Sequence, residues 1–435
     1  MDTHTLNSFS ATEPFDPAYD PVVSKTPGQG RDYAPTYWIG TAGSAPEDDG
    51  PIRGGDVDAD VVIVGSGYTG LSAAIHLARD HGVKATVLEA NGVAWGCSTR
   101  NGGQAQISAG RLKRSQWIER WGVDVARKLH REIAEGFDLF RSLIAEPEID
   151  CDPQDGGHLY IAHRDKVLPS LEKESRLLNE VFGYRTRMVS RDEIHRDFIR
   201  DQEARGAMYE PDGMGIHAAK LAFGYLRLAR KLGAKVHTSS PPVLSCRKNG
   251  NVFHLNTPNG TVKARQVCFA TAGYTSPPGL HPLTRYRLMP VLSNSIVTRP
   301  LTAEEIEACG PKTGIPLTDT RTLRHYYRFL PDGRMQIGSR SAITGADAPN
   351  PKHYDLLLSG LYRKFPALKG IKIDYSWWGW VDVSHDMMPP RIYRPDPSQE
   401  IYYAMGYGGN GVMYSAQVQS LSATCHQLGD AASGL

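Results

Sequence analysis

A chain of 435 residues is too long for a single compact core, so two intertwined domains are expected. Its 49 basic residues almost balance its 47 acidic ones, and this charge gives no reason to propose a nucleic acid as partner. No apolar run approaches the roughly 18 residues of a membrane span and the N-terminus lacks a signal-peptide pattern, so we expect a cytoplasmic protein without a transmembrane segment. Peripheral attachment to the inner membrane stays open.

Residues 1–55 are rich in Pro, Gly, Ser and Asp and show little periodicity. This composition predicts an irregular arm, which either lies over the folded body or is partly disordered. Tyr37 and Trp38 are the points at which we expect the arm to be fixed to the body.

The next stretch predicts a nucleotide-binding unit. Four β-branched residues, 61–64, precede a turn with Gly65, Gly67 and Gly70, and a helix is expected from Leu71. In this fingerprint the first glycine makes the tight turn, the second admits a pyrophosphate, and the third lets helix and strand pack closely. A second strand ends in Glu89, whose carboxylate can accept ribose hydroxyls. The alternative is an ordinary β-α-β unit with a chance glycine pattern.

The chain then departs from this pattern. Apolar residues between Val125 and Ile144 follow one face of a long helix that Pro147 ends. His158–Ala162 is expected to be a strand, and Ser190 to Glu193 is typical of a capping box that opens a short helix. Residues 150–210 are therefore assigned to a second domain.

The elements that follow belong first to the first domain, then to the second domain, and at the end of the chain to the first domain again. They are a helix at 218–232; strands at 235–238, 252–255, 262–264 and 266–272; a hairpin of 326–329 with 335–338; a strand at 375–383 with Trp377, Trp378 and Trp380; and a strand at 401–405. The last strand runs into a second glycine turn, 406–411, and a closing helix begins near Val412. The two ends of the chain are thus expected to build one cofactor cradle.

A second loop rich in glycine and polar residues, 95–104, follows the ribose acid closely. Its backbone N–H groups can wrap a tricyclic ring, which a nicotinamide enzyme does not require at this place. Together with Gly-Tyr-Thr-Gly at 67–70 and Val-Leu-Glu-Ala at 87–90, Ser-Thr-Arg-Asn-Gly-Gly-Gln at 98–104 resembles the glycine oxidase/D-amino-acid oxidase group of FAD-dependent oxidoreductases. The similarity is greatest to the branch of γ-glutamylputrescine oxidases and bacterial L-pipecolate oxidases.

The resemblance implies an α/β fold. It combines a Rossmann-like FAD-binding domain (56–150, 211–280 and 386–435) with an inserted α+β substrate domain (151–210 and 281–385) on a mostly antiparallel sheet. A motif from Gly379 to Pro389 with Ser384 and Asp386 also resembles the family. The fingerprint and the resemblance together assign these residues to the cofactor: Gly65, Gly67, Tyr68, Thr69, Gly70, Glu89, Ala90, Gly96, Cys97, Ser98, Thr99, Asn101, Gly102, Gly103, Gln104, Val243, Ala272, Gly273, Gly406, Gly408, Gly409, Asn410, Gly411 and Val412.

The implied cofactor is FAD. Some relatives attach it through a cysteine just before the hairpin, where this chain has His325, so we expect FAD to be held without a covalent bond, with a histidyl link as the alternative. The six cysteines are scattered without a C-x-x-C pair, which is typical of reduced thiols and not of a metal site.

The implied activity is oxidation of an amine or amino acid C–N bond by hydride transfer to flavin N5. Arg328 and Tyr326 on the hairpin are predicted to contact the substrate, Arg328 as a carboxylate clamp, and His217 to face the flavin from a helix start. The alternatives without a catalytic role place Arg328 on the solvent face, and give His217 and the tryptophans structural roles. Dioxygen or a quinone is the expected acceptor. An NAD(P)-linked flavoprotein and a non-catalytic flavin-binding protein are the rival functions.

Overall fold

The structure is a computed structural model. Asp386 and Pro389 of the predicted family motif, and the part of the closing helix beyond residue 418, lie outside the described residues. The structure describes residues 19–24, 26–52, 55, 57–107, 112–275, 280–282, 288–384, 391–394 and 396–418, with the backbone alone for 391–393 and 418.

The strands are numbered in chain order. They are β1 (Val57–Val64), β2 (Thr86–Leu88), β3 (Gln104–Gln106), β4 (Gln154–Asp155), β5 (His158–Ala162), β6 (Arg187–Ser190), β7 (Gly206–Glu210), β8 (Gly213–Gly215), β9 (Lys235–His237), β10 (Ser245–Asn249), β11 (Val252–Thr257), β12 (Gly260–Phe269), β13 (Leu288–Thr298), β14 (Leu317–Asp319), β15 (Tyr326–Phe329), β16 (Met335–Arg340), β17 (Ile373–Ser384), β18 (Arg391–Tyr393) and β19 (Ile401–Met405).

The helices are numbered in the same way. They are α1 (Tyr37–Thr41), α2 (Tyr68–His81), α3 (Arg114–Ile144), α4 (Leu168–Phe182), α5 (Arg191–Asp197), α6 (Ala218–Lys231), α7 (Ala303–Cys309), α8 (Pro351–Lys364) and α9 (Gly411–Tyr414). In the described part of the chain, none of them is long and apolar enough to cross a bilayer.

The first sheet is built around β1. This strand pairs in parallel with β2 on one side and with β12 on the other, and β9 and β19 extend the parallel part. Val61 and Ile63 pack in the core that contains α2 and α6, whereas Val62 and Val64 pack on the opposite face with Phe253. Because both faces are covered, the strand is a continuous β-branched run and not an alternating one. The predicted nucleotide unit is confirmed.

The second sheet has the order β17-β13-β16-β15-β14-β5-β7-β6. Its pairs are antiparallel except for β14 with β5. A mostly antiparallel sheet beside a parallel one confirms the predicted fold class. Strands β5 to β7 belong to this sheet, although residues 211–287 separate them in sequence from its other strands, β13 to β17. The predicted domain boundaries stay a prediction.

Three local predictions need correction. The strands expected at 262–264 and 266–272 are one strand, β12, because it pairs continuously with β1 from Val57 to Val64. Helix α3 begins at Arg114, eleven residues earlier than the periodicity indicates, and bends at Gly122, where φ is +80°. The Ser190 hydroxyl caps α5, but the Glu193 carboxylate pairs with Arg187, so the reciprocal half of the capping box is absent among the described contacts. The closing helix begins at Gly411, close to the predicted Val412, and after Tyr414 the chain continues as a 3-10 turn.

The N-terminal arm is fixed where the sequence predicts. Tyr37 and Trp38 are buried in α1, and the Trp38 indole donates a hydrogen bond to the Asn101 carbonyl at 2.8 Å. Further along the arm, the Asp49 carboxylate accepts the backbone N–H of Val236 in β9 at 2.7 Å. From residue 19 onward the described arm therefore lies against the folded body.

Candidate cofactor and substrate site

A large cavity lies where the parallel strands end and the second sheet begins. It contains about 2130 Å³ of empty space, part of which is open to solvent. The two glycine turns, 65–70 and 406–411, both contribute to its wall, as do strands β13 to β16 of the second sheet. The two ends of the chain thus share one cavity, as the sequence predicts.

The first glycine turn is shaped by close backbone packing. Gly65 has a φ of +106°, and a Cβ there would lie 2.7 Å from the Ala270 carbonyl oxygen. A Cβ on Gly70 would lie 1.9 Å from the Gly65 carbonyl oxygen, so this glycine lets α2 approach β1. Gly67 lines the cavity directly, at the start of α2. Such a helix start, with its free N–H groups and positive dipole end, suits a pyrophosphate.

Glu89 lies at the carboxyl end of β2 and lines the cavity. Its carboxylate accepts hydrogen bonds from the backbone N–H groups of Ser66 and Asn91, each at 3.0 Å, and from the Ser66 hydroxyl at 3.0 Å. Burial raises the pKa of Glu89, and the hydrogen bonds from Asn91 and Ser66 oppose that rise. A carboxylate oriented in this way can accept hydroxyl groups of a ribose.

The loop 95–104 is held from inside by Asn101. The Asn101 amide donates to the Ser98 carbonyl at 3.0 Å, and its oxygen accepts the Gly103 N–H at 2.8 Å. Ser98 in turn accepts the backbone N–H of Tyr68 at 3.0 Å, which ties this loop to the start of α2. The specific residue types of the loop therefore fix its shape against the first glycine turn.

Arg100 is the buried support behind the same loop. Its guanidinium lies 4.4 Å from the ring centre of Trp95, and its Nε donates to the Trp95 carbonyl at 3.2 Å. The Trp377 indole donates to the Arg100 carbonyl at 2.8 Å, and a Cβ on Gly379 would lie 2.8 Å from the Cβ of Arg100. Burial lowers the pKa of Arg100. Trp377 thus belongs to the core, as the structural alternative predicts.

Tyr326 of β15 lies in the part of the cavity wall that the second sheet contributes, next to the loop 95–104. Its hydroxyl lies 2.9 Å from both Ser293 Oγ and Ser295 Oγ. A Cβ on Gly102 would lie 2.8 Å from the Tyr326 ring and one on Gly338 would lie 2.2 Å from it. The ring is therefore fixed between two glycines, and burial raises the pKa of its hydroxyl.

The second glycine turn is attached to both halves of the site. Tyr407 Oη lies 2.5 Å from Thr69 Oγ1 in α2, and the buried Asp382 carboxylate of β17 accepts the Gly406 N–H at 2.5 Å. Burial raises the pKa of Asp382. The Asn410 side chain lines the cavity, and its buried Nδ2 has no hydrogen-bond partner in the described part of the chain. A buried amide without an acceptor fits a ligand that brings one.

Taken together, these features fit the expected FAD. Gly67 admits a pyrophosphate, Glu89 offers its carboxylate to a ribose, and Asn410 would donate to a polar edge of the flavin. Bound FAD would supply the acceptor for a hydride. The chain's own residues bind and orient the cofactor.

Most of the residues predicted to bind the cofactor line the cavity. Five of them pack behind its wall and are not lining residues: Gly70, Thr99, Gly103, Gly273 and Gly406. Two of them still shape the site, because the backbone packs too closely there for a side chain. A Cβ on Gly103 would lie 2.4 Å from the Ile216 carbonyl oxygen, and one on Gly273 would lie 3.2 Å from the Trp380 carbonyl oxygen. Direct contact with the cofactor stays a prediction for the others.

Arg328 and His217, which were predicted to be catalytic, do not line the cavity. The Arg328 guanidinium is buried and donates to Gln154 Oε1 at 2.8 Å and to the Ile216 carbonyl at 2.6 Å. His217 caps α6: its Nδ1 accepts the Lys220 N–H at 3.2 Å, and its Nε2 lies 3.0 Å from Thr41 Oγ1. Burial lowers the pKa of His217 to about 4. The position of His217 supports its structural alternative, whereas Arg328 is buried and therefore lies neither on the solvent face nor on the cavity wall.

His325 faces away from the cavity. A Cβ on Gly360 in α8 would lie 2.4 Å from the His325 ring, and the ring Nδ1 lies 3.4 Å from the Asp319 carboxylate. A histidyl link to the flavin would require the ring to leave both partners. Its position supports the expectation that FAD is held without a covalent bond.

Three polar atoms of the cavity wall were missed by the sequence reasoning. Thr318 Oγ1, Gln106 Oε1 and Arg324 Nε are buried and have no hydrogen-bond partner in the described residues. Arg324 is two residues from Tyr326, so strand alternation could have placed the two side chains on one face. Thr318 of β14 pairs with Tyr326 of β15, a register that the sequence does not specify.

Comparison with known proteins agrees with this geometry. The model of the family DAO, described as FAD dependent oxidoreductase, matches residues 60–418. The chain is 34% identical over 360 residues to gamma-glutamylputrescine oxidoreductase from Escherichia coli (strain K12), covering 82% of this chain and 80% of the relative. It is 23% identical over 366 residues to glycine oxidase from Bacillus subtilis (strain 168), covering 83% and 91%.

Solved structures share the fold. Glycine oxidase from Geobacillus kaustophilus superposes with a TM-score of 0.71 at 19% identity, covering 86% of this chain and 95% of that one. L-proline dehydrogenase from P. horikoshii gives a TM-score of 0.67 at 19% identity, covering 86% and 94%.

Proposed function

The chain belongs to the DAO family of FAD-dependent oxidoreductases, and from this premise we propose that it oxidises the C–N bond of an amine that also carries a carboxylate. The substrate would lose a hydride from the carbon next to nitrogen to the flavin and a proton from nitrogen, and would thereby become an imine. Water would then hydrolyse the imine to a carbonyl compound and an amine, or a cyclic imine would be released.

The observation that carries this proposal is a set of three buried polar atoms on the cavity wall that have no hydrogen-bond partner in the described part of the chain. Thr318 Oγ1, Gln106 Oε1 and Arg324 Nε together offer a hydroxyl, a carbonyl oxygen and a guanidinium to a ligand. Buried polar groups without partners are costly, so a site that keeps them is suited to a polar substrate.

The charged side chains of the cavity wall indicate which polar group the substrate carries. Arg324 and Arg340 both line this part of the cavity, and the Arg340 guanidinium donates to the Gly408 carbonyl at 3.1 Å. The carboxylates on the described wall are Glu89, beside the first glycine turn, and Asp382, which accepts the Gly406 N–H. A guanidinium binds a carboxylate through parallel hydrogen bonds. An amino acid or a γ-glutamylated diamine therefore fits better than a simple diamine.

The similarity to gamma-glutamylputrescine oxidoreductase supports the same substrate class. Pipecolate and other N-alkyl amino acids also contain an amine and a carboxylate, so they belong in the test. The acceptor that reoxidises the flavin is proposed to be dioxygen or a quinone, and a cytoplasmic location stays a prediction.

The test is an anaerobic panel on the purified holoenzyme with flavin absorbance as the readout. We expect rapid bleaching by at least one amine that carries a carboxylate, and slow or no bleaching by the same compound with its carboxylate converted to an amide. Bleaching by NADPH or NADH alone would favour the NAD(P)-linked rival. A flavin that no amine and no nicotinamide bleaches would favour the non-catalytic rival.

A further inference from the structure

We propose that residues 26–31 of the N-terminal arm are part of the cofactor site and hold the adenosine end of FAD. Thr26 and Pro27 lie on the cavity wall, although the family match begins only at residue 60. The segment Thr26–Arg31 is called the arm turn below. Its role depends on FAD binding and not on which substrate is oxidised.

The arm turn is bonded to the chain next to the ribose acid. The Gly30 N–H donates to the Ala90 carbonyl at 2.8 Å, and the Arg31 N–H donates to Asn91 Oδ1 at 2.8 Å. Ala90 directly follows Glu89, and the Asn91 N–H is itself a donor to the Glu89 carboxylate. The arm turn therefore lies at the adenosine end of the cavity.

A second set of contacts links the arm turn to the loop after β9. The Gln29 amide donates to the Ser239 carbonyl at 2.9 Å, and the neighbouring Ser240 N–H donates to the Glu89 carbonyl at 3.0 Å. This loop continues into Pro241, Pro242 and Val243, which also line the cavity. Prolines 27, 241 and 242 with Val243 offer apolar surface to an adenine base, whose flat face is readily buried against it.

The backbone of the arm turn has a specific conformation. Gly28 and Gly30 have φ values of +85° and +61°, which residues with a side chain rarely adopt. A Cβ on Gly28 would also lie 2.1 Å from Arg31 Nε. The turn thus needs both glycines to bring Pro27 to the wall and the Gly30 and Arg31 N–H groups to residues 90 and 91.

The arm after the turn is anchored independently. The Trp95 indole donates to the Asp32 carbonyl at 2.7 Å, the Tyr33 hydroxyl to the Val93 carbonyl at 2.8 Å, and the Trp38 indole to the Asn101 carbonyl at 2.8 Å. These contacts hold the arm along the loop 91–101. A change confined to Gly28 and Gly30 can therefore release the turn while the rest of the arm keeps its place.

The experiment measures ADP binding to apoprotein, because ADP contains the adenosine and pyrophosphate without the flavin. The double variant Gly28→Val/Gly30→Pro cannot keep the two positive φ values and loses the Gly30 N–H. We expect its Kd for ADP to rise about tenfold or more. Gly43→Val is the matched control: Gly43 has a φ of +77° in the same arm and does not line the cavity. Its Kd should stay within about twofold.

Hydrogen exchange on wild-type apoprotein gives a second readout that needs no variant. ADP should slow exchange in a peptide covering 26–31 and leave unchanged a peptide covering 163–170, none of whose residues lines the cavity. Equal ADP affinity in the double variant and wild type, or unchanged exchange in 26–31 on ADP binding, would overturn the proposal. A wild-type enzyme that binds ADP but oxidises no amine would count against the proposed reaction and not against the arm turn.

Discussion

At the scale of single residues, the three glycines of the first turn have different physical tasks. Gly65 needs a positive φ, Gly70 allows a backbone approach between helix and strand, and Gly67 faces the cavity. A side chain at Gly65 or Gly70 would collide with backbone atoms that cannot move without the sheet. At Gly67 the nearest obstacle is the Ser98 hydroxyl at 3.0 Å, so this position can be changed with less damage to the fold.

Gly67→Val should therefore yield a folded protein without flavin. The branched side chain fills the space above the start of α2 that a pyrophosphate needs. The flavin-to-protein ratio of the purified variant measures this, and circular dichroism checks the fold. A variant that retains one flavin per chain would contradict the assignment of this turn to the cofactor.

Arg324, in the loop before β15, and Arg328, within β15, have different surroundings although they are only four positions apart. Arg324 lies on the cavity wall, and its Nε has no hydrogen-bond partner among the described residues, whereas Arg328 is buried against Gln154 and the Ile216 carbonyl. Burial lowers the pKa of Arg328 to about 10. The two arginines should therefore respond to substitution in different measurements.

Arg324→Gln should weaken binding of an acidic substrate by about 1–3 kcal/mol, because a charge-assisted hydrogen bond is lost. The Kd from anaerobic flavin titration measures this, and the melting temperature should change little. Arg328→Lys should instead lower stability by about 1–3 kcal/mol, since buried acceptors lose their donors. A large change in substrate affinity for Arg328→Lys with unchanged stability would restore its predicted clamp role.

At the scale of elements, the hairpin that carries Tyr326 packs beside a buried ionic network. Lys364 of α8 and Asp319 of β14 are both fully buried, with 3.2 Å between Nζ and Oδ2. Asp319 Oδ1 also accepts the backbone N–H groups of Arg321 and His325, at 3.2 and 3.1 Å. The network thereby shapes the loop 319–325 that brings Arg324 to the cavity.

Asp319→Asn should destabilise the protein by about 3–5 kcal/mol, because it leaves Lys364 buried with one carboxylate fewer. Burial alone would raise the pKa of Asp319, but the hydrogen bond to His325 and the charges of Lys364 and Arg321 outweigh burial and lower it. A carboxylate whose pKa is lower in the folded state stabilises the protein at pH values above its unfolded-state pKa of about 3.9. This stabilisation is lost as the pH falls below that pKa.

Urea unfolding at pH 7 and at progressively lower pH measures both effects. The gap between wild type and Asp319→Asn should narrow as the pH falls below about 4. Asp155→Asn is the control, because its bidentate partner Arg141 is exposed and such a pair contributes about 1 kcal/mol or less. A gap that does not depend on pH would mean that the charge of Asp319 is not what stabilises the hairpin.

At the scale of the whole molecule, the site is made by segments far apart in sequence. Thr69 and Tyr407 are 338 positions apart and share a 2.5 Å contact. The sequence predicts both glycine turns and the loop 95–104, because their chemistry is local: positive φ, close approach and cap-like hydrogen bonds. It also predicts the hairpin from its Pro-Asp-Gly turn.

What the sequence does not predict depends on long-range register and packing. Thr318 comes to the cavity only because β14 pairs with β15, and Pro27 only because the arm bonds to residues 90 and 91. Arg328 was assigned to the substrate since an arginine among tyrosines fits a clamp, but its partners Gln154 and Ile216 lie more than 100 positions away. Periodicity and motifs carry no information on such contacts.

The reaction of the whole enzyme should depend on the ionisation of its substrate. An unperturbed alkyl amine has a pKa near the ~10.4 of a lysine side chain and is protonated at pH 7. Hydride loss beside an ammonium would place two positive charges on adjacent atoms, so the neutral amine must react. A buried cavity disfavours the charged form, as burial does for His217 and Arg328 in this protein.

Arg324 and Arg340 on the cavity wall act in the same direction, because a nearby positive charge also disfavours an ammonium. The rate of flavin reduction at saturating substrate should therefore rise with pH and level off, following one ionisation of the bound amine below the amine's own pKa in water. Removing the charge with Arg324→Gln should shift this ionisation toward higher pH.

Deuterium on the substrate α-carbon should slow reduction at every pH. A rate that is flat from about pH 6 to 10, where a free amine would ionise, or a single turnover without an isotope effect, would rule out hydride transfer from a neutral amine.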